Sequence, residues 1–191
     1  MIQPDGRTAG PVDIRSYGYA GGTTSTGTVV PAGGFGTILT LFDGAGTFLT
    51  DNDEGAGVAV NPTTALAADA GLTTTLGPGR YLVVLTEYDH FSVGNWADCF
   101  AEAGHPNFTA DPSFTTGGPC PGNLFRDISG TAGRCRNGNW TVDFVNAASS
   151  DSRTGNHCFA GHRADWARFA AEQAPHGTPA RSGSRDVRHG R

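Results

Sequence analysis

An antiparallel β-sandwich is predicted by two features of the sequence: short runs of β-branched and aromatic residues with strand character, and dense glycine punctuation between them. The chain has 191 residues, enough for one domain with its own core, and its 29 glycines far exceed the roughly 7% of an average protein. Many of those glycines sit in pairs or in Gly-Pro and Asn-Gly contexts, which mark tight turns. They keep no period of three, so collagen is excluded, and with 37% of residues apolar the chain has material for a packed core.

The elements follow in order. Val12–Tyr19 and Phe35–Phe42 are predicted strands, separated by Gly21-Gly22 and Pro31-Ala32-Gly33-Gly34. Asp43-Gly44-Ala45-Gly46 suits a tight hairpin that returns as Thr47–Thr50. Residues 56–68 are rich in alanine, but Asn61-Pro62 interrupts them and argues against a helix. Asp69–Leu76 is a further strand, Gly77-Pro78-Gly79 a turn, and Arg80–Tyr88 the strongest strand. The unbroken Leu82-Val83-Val84-Leu85 run places that strand centrally. Residues 89–124 form a long excursion. Final strands are expected at Leu124–Ile128 and Asn139–Val145, where period-two alternation puts Trp140, Val142 and Phe144 on the face that closes the core. A domain boundary is predicted near Ser150, giving a body of 1–150 and a tail of 151–191. The tail carries one short helix over Ala164–Gln173 and is otherwise disordered.

Charge divides the chain in the same way. Residues 1–148 hold 14 acids and 6 arginines, residues 149–191 hold 4 acids and 7 arginines, and lysine is absent. An acidic body lacks the clustered positive field that nucleic acid requires. No segment approaches the roughly 20 apolar residues of a membrane span, and the opening Met1–Gly6 lacks the charged and apolar regions of an export signal. Cys99, Cys120, Cys135 and Cys158 include no Cys-x-x-Cys pair, so disulfides are expected over zinc or redox chemistry. The favoured pairings are Cys99 with Cys120, or Cys120 with Cys135, in an oxidising compartment; free thiols in a reducing one are the alternative.

Across residues 11–146 an ordered series of blocks carries a resemblance. The blocks are Ser16–Thr23, Pro31–Phe35 leading into Leu39–Asp43, Asp51–Asp53, Gly79–Leu85, Tyr88–Phe91, Asn107–Thr109 and Gly138–Trp140. Together they resemble a family of secreted bacterial β-sandwich proteins associated with PEP-CTERM sorting signals, similar to bacterial pre-peptidase C-terminal domains. The resemblance implies a jelly-roll-like sandwich, a secreted or cell-surface location and no catalytic residues to transfer.

Two groups of side chains are candidates for binding. Asp51-Asn52-Asp53-Glu54 gathers oxygen ligands before Gly55, and Asp43 and Asp69 are placed to fold back toward it, a donor set suited to a structural calcium ion. The same residues are ordinary turn formers, and the loop lacks EF-hand spacing. Tyr17, Tyr19 and Trp96 would suit an aromatic platform for sugar rings, with Asp89 and His90 as polar contacts at the sandwich rim. His157, Cys158 and His162 are too few for a zinc site, and neither Gly-x-Ser-x-Gly nor His-Glu-x-x-His occurs. The function expected is therefore a non-catalytic, monomeric extracellular module that binds a polysaccharide or a surface protein. A carbohydrate-binding module is the alternative.

Overall fold

The computed structural model describes residues 9–88, 90–101, 120, 124–126, 135–147, 149–155 and 164–171. It is all-β, with every strand pairing antiparallel. In chain order the strands are β1 (Gly10–Tyr17), β2 (Gly22–Thr23), β3 (Val29–Val30), β4 (Thr37–Asp43), β5 (Phe48–Asn52), β6 (Gly71–Leu76), β7 (Gly79–Glu87), β8 (Phe125–Arg126), β9 (Cys135–Arg136), β10 (Thr141–Val145), β11 (Ser149–Gly155) and β12 (Ala164–Ala171). A three-stranded sheet runs β10-β1-β6 and a five-stranded sheet runs β11-β12-β7-β4-β5, with β2-β3 and β8-β9 as short ribbons.

The chain repeatedly changes sheet. Although β6 and β7 are separated only by Gly77 and Pro78, they belong to different sheets, as do β10 and β11. Alternation decides what each face meets. On β1, Val12, Ile14 and Ser16 are buried while Asp13, Arg15 and Tyr17 lie on the other face. One apolar cluster takes Val12 and Ile14 from β1, Leu72 and Leu76 from β6 and Phe144 from β10. From the larger sheet it takes Leu39 and Leu41 of β4 and Val83 and Leu85 of β7. Trp140 and Val142 pack against this cluster beside Phe144, as their alternation predicts.

The opposite face of the five-stranded sheet is also covered. Phe42, Leu82 and Val84 form a second cluster with Phe100, against which Trp96 packs. This explains the continuous Leu82–Leu85 run: β7 lies between β12 and β4, and both of its faces are apolar and buried. The β4–β5 hairpin positions the cover. Asp43 Oδ1 accepts the N–H groups of Ala45 (2.9 Å) and Thr47 (2.8 Å), and Gly46, at φ 89°, supplies the left-handed residue that closes the turn. The Gly46 carbonyl then accepts Trp96 N–H at 2.8 Å, and a β-carbon at Gly46 would lie 3.1 Å from that of Trp96. Trp96–Asp98 forms a single 3-10 turn, and among the described residues no helix is long and apolar enough to cross a membrane.

One expected element changes type. Ala164–Ala171 is a strand, not a helix, pairing with β7 from Asp165↔Leu85 to Ala171↔Gly79 and with β11 on its other side. The five-stranded sheet therefore takes in residues on the far side of Ser150. Alanine-rich spacing favours a helix locally, but the edge of β7 offers a row of backbone donors and acceptors, and pairing there outweighs propensity. The other residues of the tail, 156–163 and 172–191, lie outside the described residues, and with them His157, Cys158 and His162.

Of the two favoured cysteine pairings the structure contains Cys120–Cys135; Cys99 is also disulfide-bonded, so the Cys99–Cys120 alternative is excluded. The bond spans 15 residues, and serine at both positions is expected to lower stability by about 3 kcal/mol through the freed chain entropy. A fall in the urea midpoint checks this; an unchanged midpoint contradicts it.

Candidate functional site

The most constrained polar cluster lies where β1 ends, β4 begins and β6 is about to start. Inward-facing Ser16 and Thr37 share a hydroxyl hydrogen bond, and both hydroxyls accept the N–H of Ala70, at 2.7 and 3.0 Å. Ser16 N–H donates to Ala70 O (2.9 Å) and Thr37 N–H to Ala68 O (3.0 Å), so residues 68–70 are stitched between strands of both sheets. Stitching this segment fixes Asp69. Its carboxylate accepts Tyr19 N–H at 3.0 Å and Ala20 N–H at 2.8 Å, and the residue is only 1% exposed. Burial raises its pKa above the ordinary aspartate value; the N–H groups of Ala20, Tyr19 and Gly18 and the Arg136 guanidinium oppose that rise without cancelling it.

Tyr19 is held from several sides. The Arg136 guanidinium lies 3.8 Å from its ring centroid, and Asn61 Nδ2 donates to its carbonyl at 2.7 Å. Asn61 Oδ1 in turn accepts the N–H groups of Thr63 (2.9 Å) and Thr64 (3.2 Å), which folds the Asn61-Pro62 interruption into a turn. Both Asn61 and Arg136 are buried.

A second buried carboxylate, Asp143 of β10, accepts Ser25 N–H at 2.6 Å and Ser25 Oγ at 2.8 Å, tying down the β2–β3 ribbon. Gly22 sits on the Tyr17 ring beneath that ribbon, where a β-carbon would approach Cδ1 to 2.9 Å. Burial first, and then the Asp143 charge, raise the Tyr17 pKa. Asp69 and Asp143 thus anchor the start and the tip of the loop 18–30. Three backbones cross beside it: Gly34 N–H donates to Gly18 O at 2.8 Å, and a β-carbon at Gly34 would overlap the Asn139 carbonyl oxygen. Gly34→Ala is expected to destabilise by about 1–3 kcal/mol through this overpacking, checked by urea denaturation.

The expected metal ligands are not gathered into one site. Asp43 caps the β4–β5 turn, which holds its carboxyl below the usual range through the Thr47 N–H. Asn52 donates to Gly71 O (3.0 Å) and accepts Glu54 N–H (3.1 Å), and Asp69 is committed to the 19–20 backbone. Burial first, and then repulsion from Asp53, raise the Asp51 pKa. Among the described residues no group of three or more His, Cys, Asp or Glu is arranged to hold a metal ion.

The expected platform for sugar rings is dispersed. Tyr19 is 1% exposed beneath Arg136, Tyr17 is half-buried under Gly22, and Trp96 packs edge-on against Phe42 (5.9 Å, 73°) and Phe100 (6.2 Å, 79°). His90 is buried at 3% exposure, its N–H donating to Glu87 O and its carbonyl accepting Thr86 Oγ1, both at 2.8 Å. Asp89 lies outside the described residues. The contributions of Asn61, Arg136 and Asp143 were not signalled by any motif, and the alternation of Trp140, Val142 and Phe144 puts Asp143 on the face away from the core, although it is buried. No protein-family model matches the chain, and no curated protein or solved structure shows significant similarity to it.

Proposed function

We propose that the chain is a non-catalytic, extracellular or cell-surface β-sandwich module of the jelly-roll-like kind. As a monomer it would present the loop 18–30 and the neighbouring turn at 61–66 to an extracellular polysaccharide or a surface protein. The observation that carries this reading is the commitment of Asp69 and Asp143, both buried, to backbone N–H groups of that loop. A binding loop held in place in advance loses less conformational entropy when it meets a partner. Carboxylates used this way are scaffolding: their lone pairs face protein N–H groups, not a reacting atom. The Cys120–Cys135 disulfide supports an oxidising compartment.

Co-sedimentation of the purified chain with polysaccharide and with intact surfaces of the producing cells tests the proposal. Saturable retention without change in the polymer is the expected result. Release of shortened or modified polymer would make the chain an enzyme, and absence of retention on either material would overturn the binding role. Recovery of the native protein only from the cytosol, with reduced cysteines, would overturn the location.

A further inference from the structure

The sequence contains a single Asn-Gly dipeptide, Asn137-Gly138, and it falls in the connection between β9 and β10. We propose that it is a site of spontaneous succinimide chemistry that converts Asn137 to aspartate and isoaspartate in the folded protein. The reaction needs an asparagine carboxamide as electrophile and the next residue's backbone nitrogen as nucleophile. In the first step the Gly138 amide loses its proton to solvent base and attacks Cγ of Asn137. The new N–C bond closes a five-membered ring, the Cγ–Nδ2 bond breaks, and the nitrogen leaves as ammonia with a proton from solvent. Water then adds to one of the two ring carbonyls, and the ring opens to aspartate or isoaspartate. Water is the only co-reactant.

The local geometry favours each requirement. Gly138 is exposed, a β-carbon there would meet nothing within 4 Å, and no hydrogen bond engages its N–H among the described residues, so base and water have access. Asn139 N–H donates to Asn137 Oδ1 at 2.9 Å. That contact polarises the carbonyl under attack and places a donor on the oxygen that becomes negative in the tetrahedral intermediate. The other asparagines among the described residues are less suited. Asn61 precedes a proline, which has no N–H, and its own amide is buried and bonded at both ends. Asn95 precedes Trp96, whose N–H is occupied by Gly46 O at 2.8 Å. Asn52, Asn139 and Asn146 precede Asp53, Trp140 and Ala147, whose side chains crowd the attacking nitrogen. Asp43-Gly44 offers a carboxylate, a far poorer electrophile, and a β-carbon there would lie 2.8 Å from Arg80 O.

Conversion places a carboxylate beside buried Arg136 and, in isoaspartate, lengthens the backbone by one carbon. The added length enters where Asn137 N–H bonds Gly33 O at 2.9 Å and where Asn139 O packs on Gly18 and Gly34. The test incubates the folded full chain at mildly alkaline pH, digests it with pepsin in acid so that no conversion occurs during digestion, and locates acid products by mass spectrometry. Isoaspartate is read separately by isoaspartyl methyltransferase labelling. Acid is expected at residue 137 ahead of every other asparagine, with both products present. Gly138→Ala, which has room for its methyl, is expected to slow conversion about tenfold, or ~1.4 kcal/mol in the barrier. Retention of the amide at 137 while other asparagines convert would overturn the proposal, as would equal rates in Gly138→Ala.

Discussion

Replacing Phe42 by alanine is expected to destabilise the protein by about 3–5 kcal/mol, the usual cost of deleting a buried phenyl ring. Phe42 is fully buried, yet it faces away from the core that the two main sheets share. Its ring meets Phe48 (6.2 Å, 78°), Trp96 (5.9 Å, 73°) and Phe100 (6.4 Å, 80°) in edge-on contacts, each worth about 0.5–1.5 kcal/mol beyond the area buried. The prediction therefore tests whether residues 91–100 cover the outer face of the five-stranded sheet. If they do not, Phe42 faces solvent and the substitution costs no more than about 0.5 kcal/mol. Urea denaturation measures the difference, and Leu41→Ala on the opposite face, expected to cost about 2–5 kcal/mol, is the reference. A large loss from Leu41→Ala with none from Phe42→Ala would contradict the two-sided sheet.

The second large effect is expected at Asp69. Alanine there leaves the buried N–H groups of Tyr19 and Ala20 without their acceptor and removes a carboxylate that offsets the Arg136 charge; together these cost about 3–5 kcal/mol. Asparagine retains one acceptor and is expected to cost less. The pH dependence has a definite sign. Because burial raises the folded-state pKa above the reference value of 3.8, the folded state holds this proton more tightly than the unfolded chain. The resulting stabilisation is fully present below the unfolded pKa and is lost as pH rises through the folded one. Wild-type stability relative to Asp69→Asn should therefore decline from strongly acidic toward neutral pH. Asp51, also raised, adds in the same direction, whereas Asp43, lowered, contributes above its unfolded pKa and loses that contribution in acid. Since Asp51 and Asp43 are common to both proteins, the difference isolates Asp69. A pH-independent difference between the two in denaturation experiments would contradict the assignment.

Much of the strand pattern was legible because its causes are local. Val12–Tyr19, Phe35–Phe42 and Arg80–Tyr88 contain most of β1, β4 and β7, and the two-sided burial of Leu82–Leu85 follows from an unbroken apolar run. The Asp43 turn was legible for the same reason, since its acceptor serves N–H groups only two and four residues away. What escaped the sequence is long-range. Ala164–Ala171 has helical spacing, and only the unpaired edge of β7 makes it a strand. Asp69 stood out as an acid, but its partners are 49 and 50 residues away, so nothing nearby distinguishes a metal ligand from a loop anchor. Tyr19 was expected in an exposed aromatic platform and His90 at the sandwich rim. Each is instead enclosed, Tyr19 by Arg136 and Asn61 and His90 by its contacts with Glu87 and Thr86.

The central claim is that buried carboxylates hold the loop 18–30 in a fixed conformation, and native-state amide hydrogen exchange tests it most directly. Tyr19 and Ala20 N–H are expected to exchange in the wild type as slowly as amides of the central strand β7, and Ser25 N–H to be protected through Asp143. In Asp69→Ala, protection of Tyr19 and Ala20 is expected to fall well below that of β7. Exchange of Tyr19 and Ala20 at the rate of an open loop in the wild type would contradict the claim.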